Sequence, residues 1–221
     1  MTFLNNDLIL ESTSLRELID YMEDDDKVAA ASGLTYLGDG ERIFSAGGYI
    51  TDHWYIGSIC WGSFEHECPG INKPHYVTYA SEEYMVVKTE IIKKVCPDGK
   101  PFIDETFLYL DDNLLGLIPW NGGYKVAYVS VKSGIHYSSL TTGPSKTGLY
   151  YGKRATTIGI NIIKTKLTCI KQLYIARRLI GYRLLSLINR RRREEYSIIL
   201  KAVKNGLEPP QLLRRKLEYV T

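Results

Sequence analysis

Acidic and basic side chains are separated along this chain, and the separation divides it into two parts. Residues 1–150 carry 11 Lys and Arg against 21 Asp and Glu, a net charge of −10, whereas residues 151–221 carry 17 against 4, a net charge of +13. A basic region attached to an acidic body indicates a polyanionic partner for that region, either nucleic acid or an anionic membrane surface. We expect any chemistry to lie in the acidic body.

Length and cysteine content exclude several classes of protein. A chain of 221 residues, 44% of them hydrophobic, can bury a substantial core, which excludes general disorder. Four scattered cysteines are too few for a disulfide-held secreted scaffold and favour a reducing, cytoplasmic setting. Cys60, His66 and Cys68 lack the paired short spacings of a zinc site. The longest uncharged run of the basic region, residues 155–163, is far shorter than the about 20 apolar residues of a spanning helix.

Hydrophobic periodicity predicts an α/β fold for the body, because apolar runs typical of strands alternate with segments of helical spacing. The first helix is predicted from Ser14 to Glu23, where Ser14 and Glu17 have the spacing of a capping box. The aromatic and glycine-rich stretch from Gly47 to Pro74 has neither period and is interpreted as a long functional loop. Predicted strands cover about residues 1–4, 28–37, 42–44, 75–88 and 124–129, and a second helix covers about 90–95.

The basic region shows helical spacing of apolar residues from Ile160 onward, with lysines and arginines between them. This predicts one basic amphipathic helix, or two broken near Gly181, ending in the four arginines 190–193 and followed by a break at Pro209-Pro210. Such a helix suits an anionic membrane surface. Packing on the body is one alternative. Nucleic-acid binding is another, and it is disfavoured because the tyrosines here lie among aliphatic residues.

Three groups of residues could carry chemistry, and each also has a simpler interpretation. Asn5-Asn6-Asp7, at a predicted strand end, is a solvated turn or places a carboxylate to hold a divalent cation against phosphates. Asp111-Asp112, at a predicted helix start, complements the helix dipole or contains a general base. His136 belongs to a polar loop or to a site. P-loop, dinucleotide-binding and serine-hydrolase signatures are absent from the sequence.

The order of these groups resembles a known family. Phe3-Leu4-Asn5-Asn6-Asp7 is similar to the LNND metal-site motif of the inverting family-two glycosyltransferases of GT-A fold, of the rhamnosyltransferase-like branch in particular. Phe-Leu-Tyr-Leu-Asp-Asp at 107–112 and Gly-Tyr-Lys-Val at 123–126 resemble that family's F-F-x-Y-x-E-D-x-D-L and A-G-Y-K-V segments. Three further segments resemble, in the same order, its Y-A-S-G, F-D-E and V-P-x-A-x-V-Y-H segments: Tyr79-Ala80-Ser81, Phe102-Ile103-Asp104-Glu105, and 129–143 with His136.

The resemblance implies a role for each matched residue. Asp7 and His136 would hold Mg²⁺ or Mn²⁺ against the diphosphate of a nucleotide-sugar donor, which the pair Asn5 and Asn6 would contact. Asp112 would take the proton of the acceptor hydroxyl as it attacks the anomeric carbon, supported by Asp111. The implied acceptor is a lipid-linked or surface glycan at the inner face of the cell membrane. The acceptor cleft would be lined by Trp61, Gly62, Tyr79 and Ser81.

The chain departs from the family pattern in four places. Leu114 stands where the family has an acidic residue, Pro119 falls inside the predicted helix, and Glu82 replaces the small residue that follows Tyr-Ala-Ser. In the family a nucleotide-binding half also precedes the LNND motif, whereas here Met1 lies directly before it. We therefore expect the base and ribose of the donor to be held elsewhere, by a longer form of the chain or by a partner chain.

The expected architecture is a partial GT-A-like α/β domain over residues 1–152, with a mixed sheet and flanking helices, followed by basic amphipathic helices over 153–221. Two functions stay open at this stage. The first is a metal-assisted glycosyltransferase, peripheral on the inner membrane face, which the basic region would contact. The second is a non-catalytic remnant or subunit of such an enzyme, acting as a membrane-associated binding module.

Overall fold

The computed structural model of the chain describes residues 1–104, 106–137, 145–208 and 217–218. Its helices are α1 (Ser14–Glu23), α2 (Thr89–Val95), α3 (Asp111–Asn121), α4 (Lys146–Ile162), α5 (Lys171–Ile188) and α6 (Arg193–Gly206). Its strands are β1 (Thr2–Leu4), β2 (Leu8–Leu10), β3 (Val28–Leu37), β4 (Ile43–Ser45), β5 (Gly48–Ile50), β6 (Ile56–Ser58), β7 (His75–Tyr76), β8 (Tyr84–Val87), β9 (Lys125–His136), β10 (Ile163–Lys164) and β11 (Leu217–Glu218).

A mixed, mostly antiparallel sheet forms the centre of the fold. Its strand order is β1-β8-β3-β9-β2, with β4 added to β3 and β7 added to β9. The two longest strands, β3 and β9, run parallel to each other, and the remaining pairs described in this sheet are antiparallel. Burial of β3 on both faces explains why its sequence reads as a nearly continuous run of small and apolar residues. The predicted α/β class, with a mixed sheet and flanking helices, is confirmed.

Helix α1 covers one face of the sheet and has the predicted bounds. Leu18 and Met22 are buried there against Val28, Tyr84 and neighbouring side chains of the sheet. The predicted capping box is wrong, because no side chain caps this helix. The hydroxyl of Ser14 donates instead to the Glu11 carbonyl at 2.8 Å and lies 3.3 Å from Tyr84 Oη. Ser14 is buried under the helix, so its side chain faces the core and not the free N–H groups of the first turn.

The larger core lies on the other face of the sheet. Ala30, Val126 and Tyr128 belong to it and alternate along their strands with residues that face α1, as the strand period requires. Helix α3 contributes Leu114, Leu115 and Leu117. At Gly116 the helix lies against backbone, because a Cβ there would come within 2.6 Å of the Tyr79 Cα. Only glycine permits this approach, which sets how closely the α3 start lies to the segment before β8.

The stretch predicted as a loop over 47–74 contains the two-stranded sheet of β5 and β6 and a 3₁₀ turn at Glu65–Glu67. Cys60 and Cys68 are joined by a disulfide, a pairing that the cysteine count did not predict. The single strand predicted over 75–88 consists of two short strands, β7 and β8, separated by an irregular segment. That segment carries Tyr79 and Ser81 of the predicted acceptor cleft.

In its described part, the basic region contains most of α4 and all of α5 and α6. Helix α4 spans the boundary drawn at 152/153, and its residues Ala155, Ile158 and Ile160 belong to the larger core. Helix α6 packs against both α4 and α5. Neither predicted form of the amphipathic helix, one helix from Ile160 to the four arginines or two broken near Gly181, is correct: α4 ends at Ile162, and α5 continues through Gly181 and ends at Ile188. One glycine costs a helix about 1 kcal/mol, which the flanking helix-forming residues offset. The arginines 190–192 form a 3₁₀ turn before α6. The predicted break at Pro209-Pro210 lies outside the described residues.

Candidate active site

The Asn5-Asn6-Asp7 loop connects β1, at one edge of the sheet, to β2, at the opposite edge. It therefore passes across the end of the sheet, and two backbone hydrogen bonds hold it there. The Asn5 N–H donates to the Glu83 carbonyl at 3.0 Å, just before β8, and the Tyr137 N–H donates to the Asp7 carbonyl at 2.9 Å, just after β9. Asn6 is exposed. The predicted donor loop thus lies where an α/β sheet presents its ligand-binding edge.

Asp7 and His136, the two predicted metal ligands, are in contact. Asp7 Oδ1 lies 2.9 Å from His136 Nε2, and the two side chains are 11% and 7% exposed. The antiparallel pairing of β2 with β9 sets this contact, because it matches Leu8 with His136. The ring of Phe44 stands edge-on to the imidazole at 4.4 Å. The other ring nitrogen, Nδ1, is buried and has no hydrogen-bond partner in the described part of the chain.

Two adjacent glutamates lie at the start of β8, next to the donor loop. Glu83 is fully buried, and its carboxylate accepts a hydrogen bond from Thr35 Oγ1 at 2.8 Å. Burial raises the pKa of Glu83 to about 7. Burial, together with the nearby carboxyl of Asp111, also raises the pKa of Glu82. The residue that replaces the family's small residue therefore adds a carboxyl to this end of the sheet.

Helix α3 begins at the predicted acidic pair, Asp111 and Asp112. The Thr106 hydroxyl donates to the Asp111 carboxylate, whose pKa is raised by burial. The Asp112 carboxylate accepts the backbone N–H of Asn113 at 2.7 Å. Burial, and then the carboxyls of Glu82, Glu83 and Asp111, hold the pKa of Asp112 well above its usual value. Such a carboxyl is a stronger base than an exposed aspartate.

The backbone before α3 is strained. Phe107, Tyr109 and Leu110 have φ of +64°, +66° and +75°, in the left-handed region that residues with a Cβ seldom adopt. Strain of this kind costs about 1–3 kcal/mol per residue and is concentrated at functional sites. Here its structural effect is to direct the first turn of α3, with both aspartates, toward the Glu82 segment.

A cleft of about 470 Å³ opens beside Asp111, and Asp112 follows that residue without being among the lining residues of the cleft. Its walls combine carboxyl groups, which hydrogen-bond hydroxyls, with aromatic rings, which pack on the apolar faces of sugars. Phe102 is held by the ring of Phe3 at 4.6 Å, and Phe107 is 69% exposed. The lining residues are Glu82, Phe102, Ile103, Asp104, Phe107 and Asp111. Glu105 of the predicted segment, and residues 138–143 after His136, lie outside the described residues.

The four acceptor residues expected from the resemblance do not line the cleft beside Asp111. Tyr79 is 4% exposed, and its hydroxyl donates to the Gly57 carbonyl at 2.9 Å. Ser81 is also buried, with its hydroxyl 2.6 Å from that of Ser45. Neither residue is among those that line the cleft. Trp61 and Gly62 lie in the disulfide-closed loop, where the indole is 63% exposed.

The resemblance leads us to expect Mg²⁺ or Mn²⁺ at this end of the sheet, and the donor groups present there decide whether such an ion fits. Across the described ranges, no three His, Cys, Asp or Glu side chains converge in a metal-ligand arrangement. Mg²⁺ and Mn²⁺, however, are commonly held by one or two protein ligands, with substrate phosphates and water completing the shell. Asp7 keeps a second carboxylate oxygen for such an ion, whereas His136 uses Nε2 for its contact with Asp7. The buried Nδ1 has no partner within the described residues, but it lies on the side of the ring away from Asp7, so one ion cannot bind both groups in this arrangement. Asp7 is therefore the donor that this arrangement offers, with His136 holding its carboxylate in place.

Sequence reasoning missed three residues in or near the cleft: Phe107 lines it, and Glu83 and Thr106 are buried beside its carboxyl groups. Phe107 belonged to a quoted segment, but nothing in its pattern indicated that the ring would be exposed. Glu83 could have been identified, because it directly precedes the apolar run of β8 and an acidic residue next to a buried strand can itself be buried. Buried glutamates are rare, so such a position indicates a candidate functional residue. Thr106 became relevant only through its bond to Asp111.

The sequence matches no known protein-family model, and a search of curated proteins gives no match.

Proposed function

We propose that this chain carries the metal-holding and acceptor half of an inverting glycosyltransferase of GT-A-like fold. It would move a sugar from a nucleotide-sugar donor to a lipid-linked or surface-glycan acceptor. The observation that carries the proposal is the convergence of two groups distant in sequence at one end of the sheet. Asp7 contacts His136 there, and the Asn5 bond to Glu83 links this loop to the carboxyl cluster around Asp112.

The chemistry follows from the two carboxylates having separate surroundings. In an inverting transfer the acceptor oxygen bonds to the anomeric carbon as the bond from that carbon to the diphosphate oxygen breaks. Asp112 accepts the proton that the acceptor hydroxyl loses, and its raised pKa suits that task. Asp111, held by Thr106, keeps the first turn of α3 in place. The aromatic rings of the cleft orient the acceptor sugar.

Asp7 would hold Mg²⁺ or Mn²⁺ at the diphosphate through its second carboxylate oxygen, and His136 would orient that carboxylate through its Nε2 contact. A bound ion of this type neutralises negative charge on the leaving group. Asp7 must stay ionised for this role, whereas Asp112 must take up a proton. The three carboxyls around Asp112 favour its uptake of that proton.

The decisive test is Asp112→Asn in protein purified from its native source, together with any chain that copurifies. Loss of the base should reduce sugar transfer by about a hundredfold or more. Calorimetry with a nucleoside diphosphate and Mn²⁺ should give unchanged binding. Asp20→Asn, on the exposed face of α1, is the matched control and should transfer normally. Transfer at the wild-type rate in Asp112→Asn would contradict the assignment.

A second candidate function is a binding subunit without catalysis of its own. The observation in its favour is the open edge of β1, whose strand partner within the described residues is β8 alone. Leu4 is 50% exposed on this short strand, and unpaired edge strands accept strands from other chains. Calorimetry on the isolated chain separates the candidates. Binding of nucleoside diphosphate with Mn²⁺ favours the transferase, and no binding favours a subunit whose donor site needs another chain.

A further inference from the structure

Helix α5 presents a row of exposed apolar side chains. Leu173, Ile180, Leu184 and Leu187 are 71%, 57%, 52% and 68% exposed. Their spacings of seven, four and three residues place them within about 60° of one another around the helix, at about 100° per residue. They form one continuous line along the solvent side, which we call the α5 stripe. A stripe of this kind on a folded protein marks a surface that contacts something apolar.

The opposite side of α5 is held by the body, so the orientation of the stripe is defined. Ile175 is buried in the larger core. The ring of Tyr174 lies 5.5 Å from that of Trp54, and the ring of Tyr182 lies 6.5 Å from that of Tyr196 on α6. These contacts anchor the helix at its first half and its second half. The α5 stripe therefore faces away from the described core.

Charge identifies the kind of partner. Arg177 and Arg183 flank the α5 stripe on its two sides, each about 60° from Ile180 around the helix. Residues 164–193 contain ten Lys and Arg and no Asp or Glu. A partner for this face must therefore combine negative charge with an apolar layer. An anionic lipid surface has both at the depth that an in-plane helix occupies.

A groove beside the α5 stripe suits lipid phosphates. It has a volume of about 340 Å³, and the two arginines 177 and 178 lie in its wall. A Cβ at Gly181 would meet nothing within 4 Å, which leaves the middle of the groove open. Guanidinium groups bind phosphate oxygens in a bidentate manner. The lining residues are Tyr174, Arg177, Arg178, Gly181, Tyr182 and Leu185.

We propose that α5 lies in the plane of an anionic membrane, with the α5 stripe at the acyl boundary and lipid phosphates at Arg177 and Arg178. This inference goes beyond sugar transfer and does not depend on it. It narrows the membrane contact predicted for the whole basic region to one helix, because α4 and α6 bury their apolar residues against the body and each other. None of the described helices is long and apolar enough to cross a membrane. A second copy of the chain is a poorer partner, since it would bring two arginine-rich helices together.

The test is flotation of the full chain with vesicles of phosphatidylcholine, alone or mixed with an equal amount of phosphatidylglycerol. Wild-type protein should float with the mixed vesicles. The double variant Ile180→Gln/Leu184→Gln should bind at least about tenfold more weakly, because two large apolar side chains no longer enter the membrane. Leu15→Gln/Ile19→Gln, which changes two exposed apolar residues of α1, is the matched control and should float normally. All four positions are exposed, so folding should be unaffected, as circular dichroism would verify.

The variant Arg177→Gln/Arg178→Gln tests the charge. It should reduce the preference for phosphatidylglycerol and the salt dependence of binding. Three outcomes would overturn the proposal: no preference of the wild type for the mixed vesicles, normal flotation of the Ile180→Gln/Leu184→Gln variant, or a wild-type dimer in solution that this variant dissociates. The last result would assign the α5 stripe to a second copy. None of these measurements uses transferase activity, so a failure here and a failure of the proposed reaction are distinguishable.

Discussion

The carboxyl of Glu83 should make the stability of this protein fall between pH 4.5 and 7. Glu83 is 3% exposed, and burial raises its pKa from 4.5 to about 7, against the lowering effect of hydrogen bonds from Thr35 and Ser81. In this window the native state keeps a proton that the unfolded chain has released. The free energy of unfolding therefore decreases as pH rises. Between the two limits the loss is about 3 kcal/mol.

The substitution Glu83→Gln removes this proton while keeping the side-chain length and an oxygen that can accept the Thr35 hydroxyl. We expect the variant to be about 3 kcal/mol more stable than the wild type above pH 7, and to differ little below pH 4.5, where the glutamate is neutral in both states. The measurement is urea unfolding followed by circular dichroism at several pH values. Because Glu82 and Asp112 also have raised pKa values, the quantity to compare is the difference between variant and wild type.

Glu41→Gln, which changes an exposed glutamate in the turn before β4, is the matched control for the loss of one carboxyl. The reasoning is refuted if the difference between Glu83→Gln and wild type does not grow between pH 4.5 and 7. It is also refuted if Glu83→Gln is less stable than the wild type above pH 7, which would mean that the buried carboxylate is stabilised by its neighbours.

Two further predictions concern packing and the disulfide. Gly116→Ala should destabilise the protein by about 1–3 kcal/mol, because the new Cβ meets the Tyr79 backbone. Gly181→Ala should stabilise α5 by about 0.5–1 kcal/mol, because the new Cβ meets nothing within 4 Å. Urea unfolding measures both changes, and an unchanged stability of Gly116→Ala would disprove the close approach. Cys60→Ser/Cys68→Ser should lower the free energy of unfolding by about 2 kcal/mol, because the loop is no longer closed. Reductant should not change the stability of that variant further. Equal stability of the variant and the oxidised wild type would contradict the prediction.

The local elements were readable from sequence because each depends on neighbours a few residues away. The apolar spacing that predicts α1 and the run of small residues in β3 both appear in the structure with the expected bounds. Asp111 is the first residue of α3, as its position before three leucines indicated. Errors arose where a side chain had a choice of partners. Ser14 had the right spacing to cap α1, but its side chain is buried in the core beside Tyr84 and does not cap the helix.

The candidate site was predictable as a set of residues but not as an arrangement. Asp7 and His136 were both identified, yet their contact depends on β2 pairing with the far end of β9. Glu82 was noted as a departure from the family pattern. That the pKa of Asp112 would be raised, first by burial and then by the carboxyl of Glu82, could not be known, because both effects depend on how the start of α3 packs against the segment before β8.

Sequence alone therefore establishes the α/β class, the separation of an acidic body from a basic region, and the residue types available for chemistry, because composition and short-range spacing specify these. Tertiary packing establishes which carboxyls are neighbours, how far each is removed from water, and which of the basic helices keeps its apolar side free. Strand order brings Asp7 to His136, and packing of Ile175 into the core turns the α5 stripe outward. Electrostatic effects and exposure are properties of surroundings assembled from distant residues, and no local pattern records them.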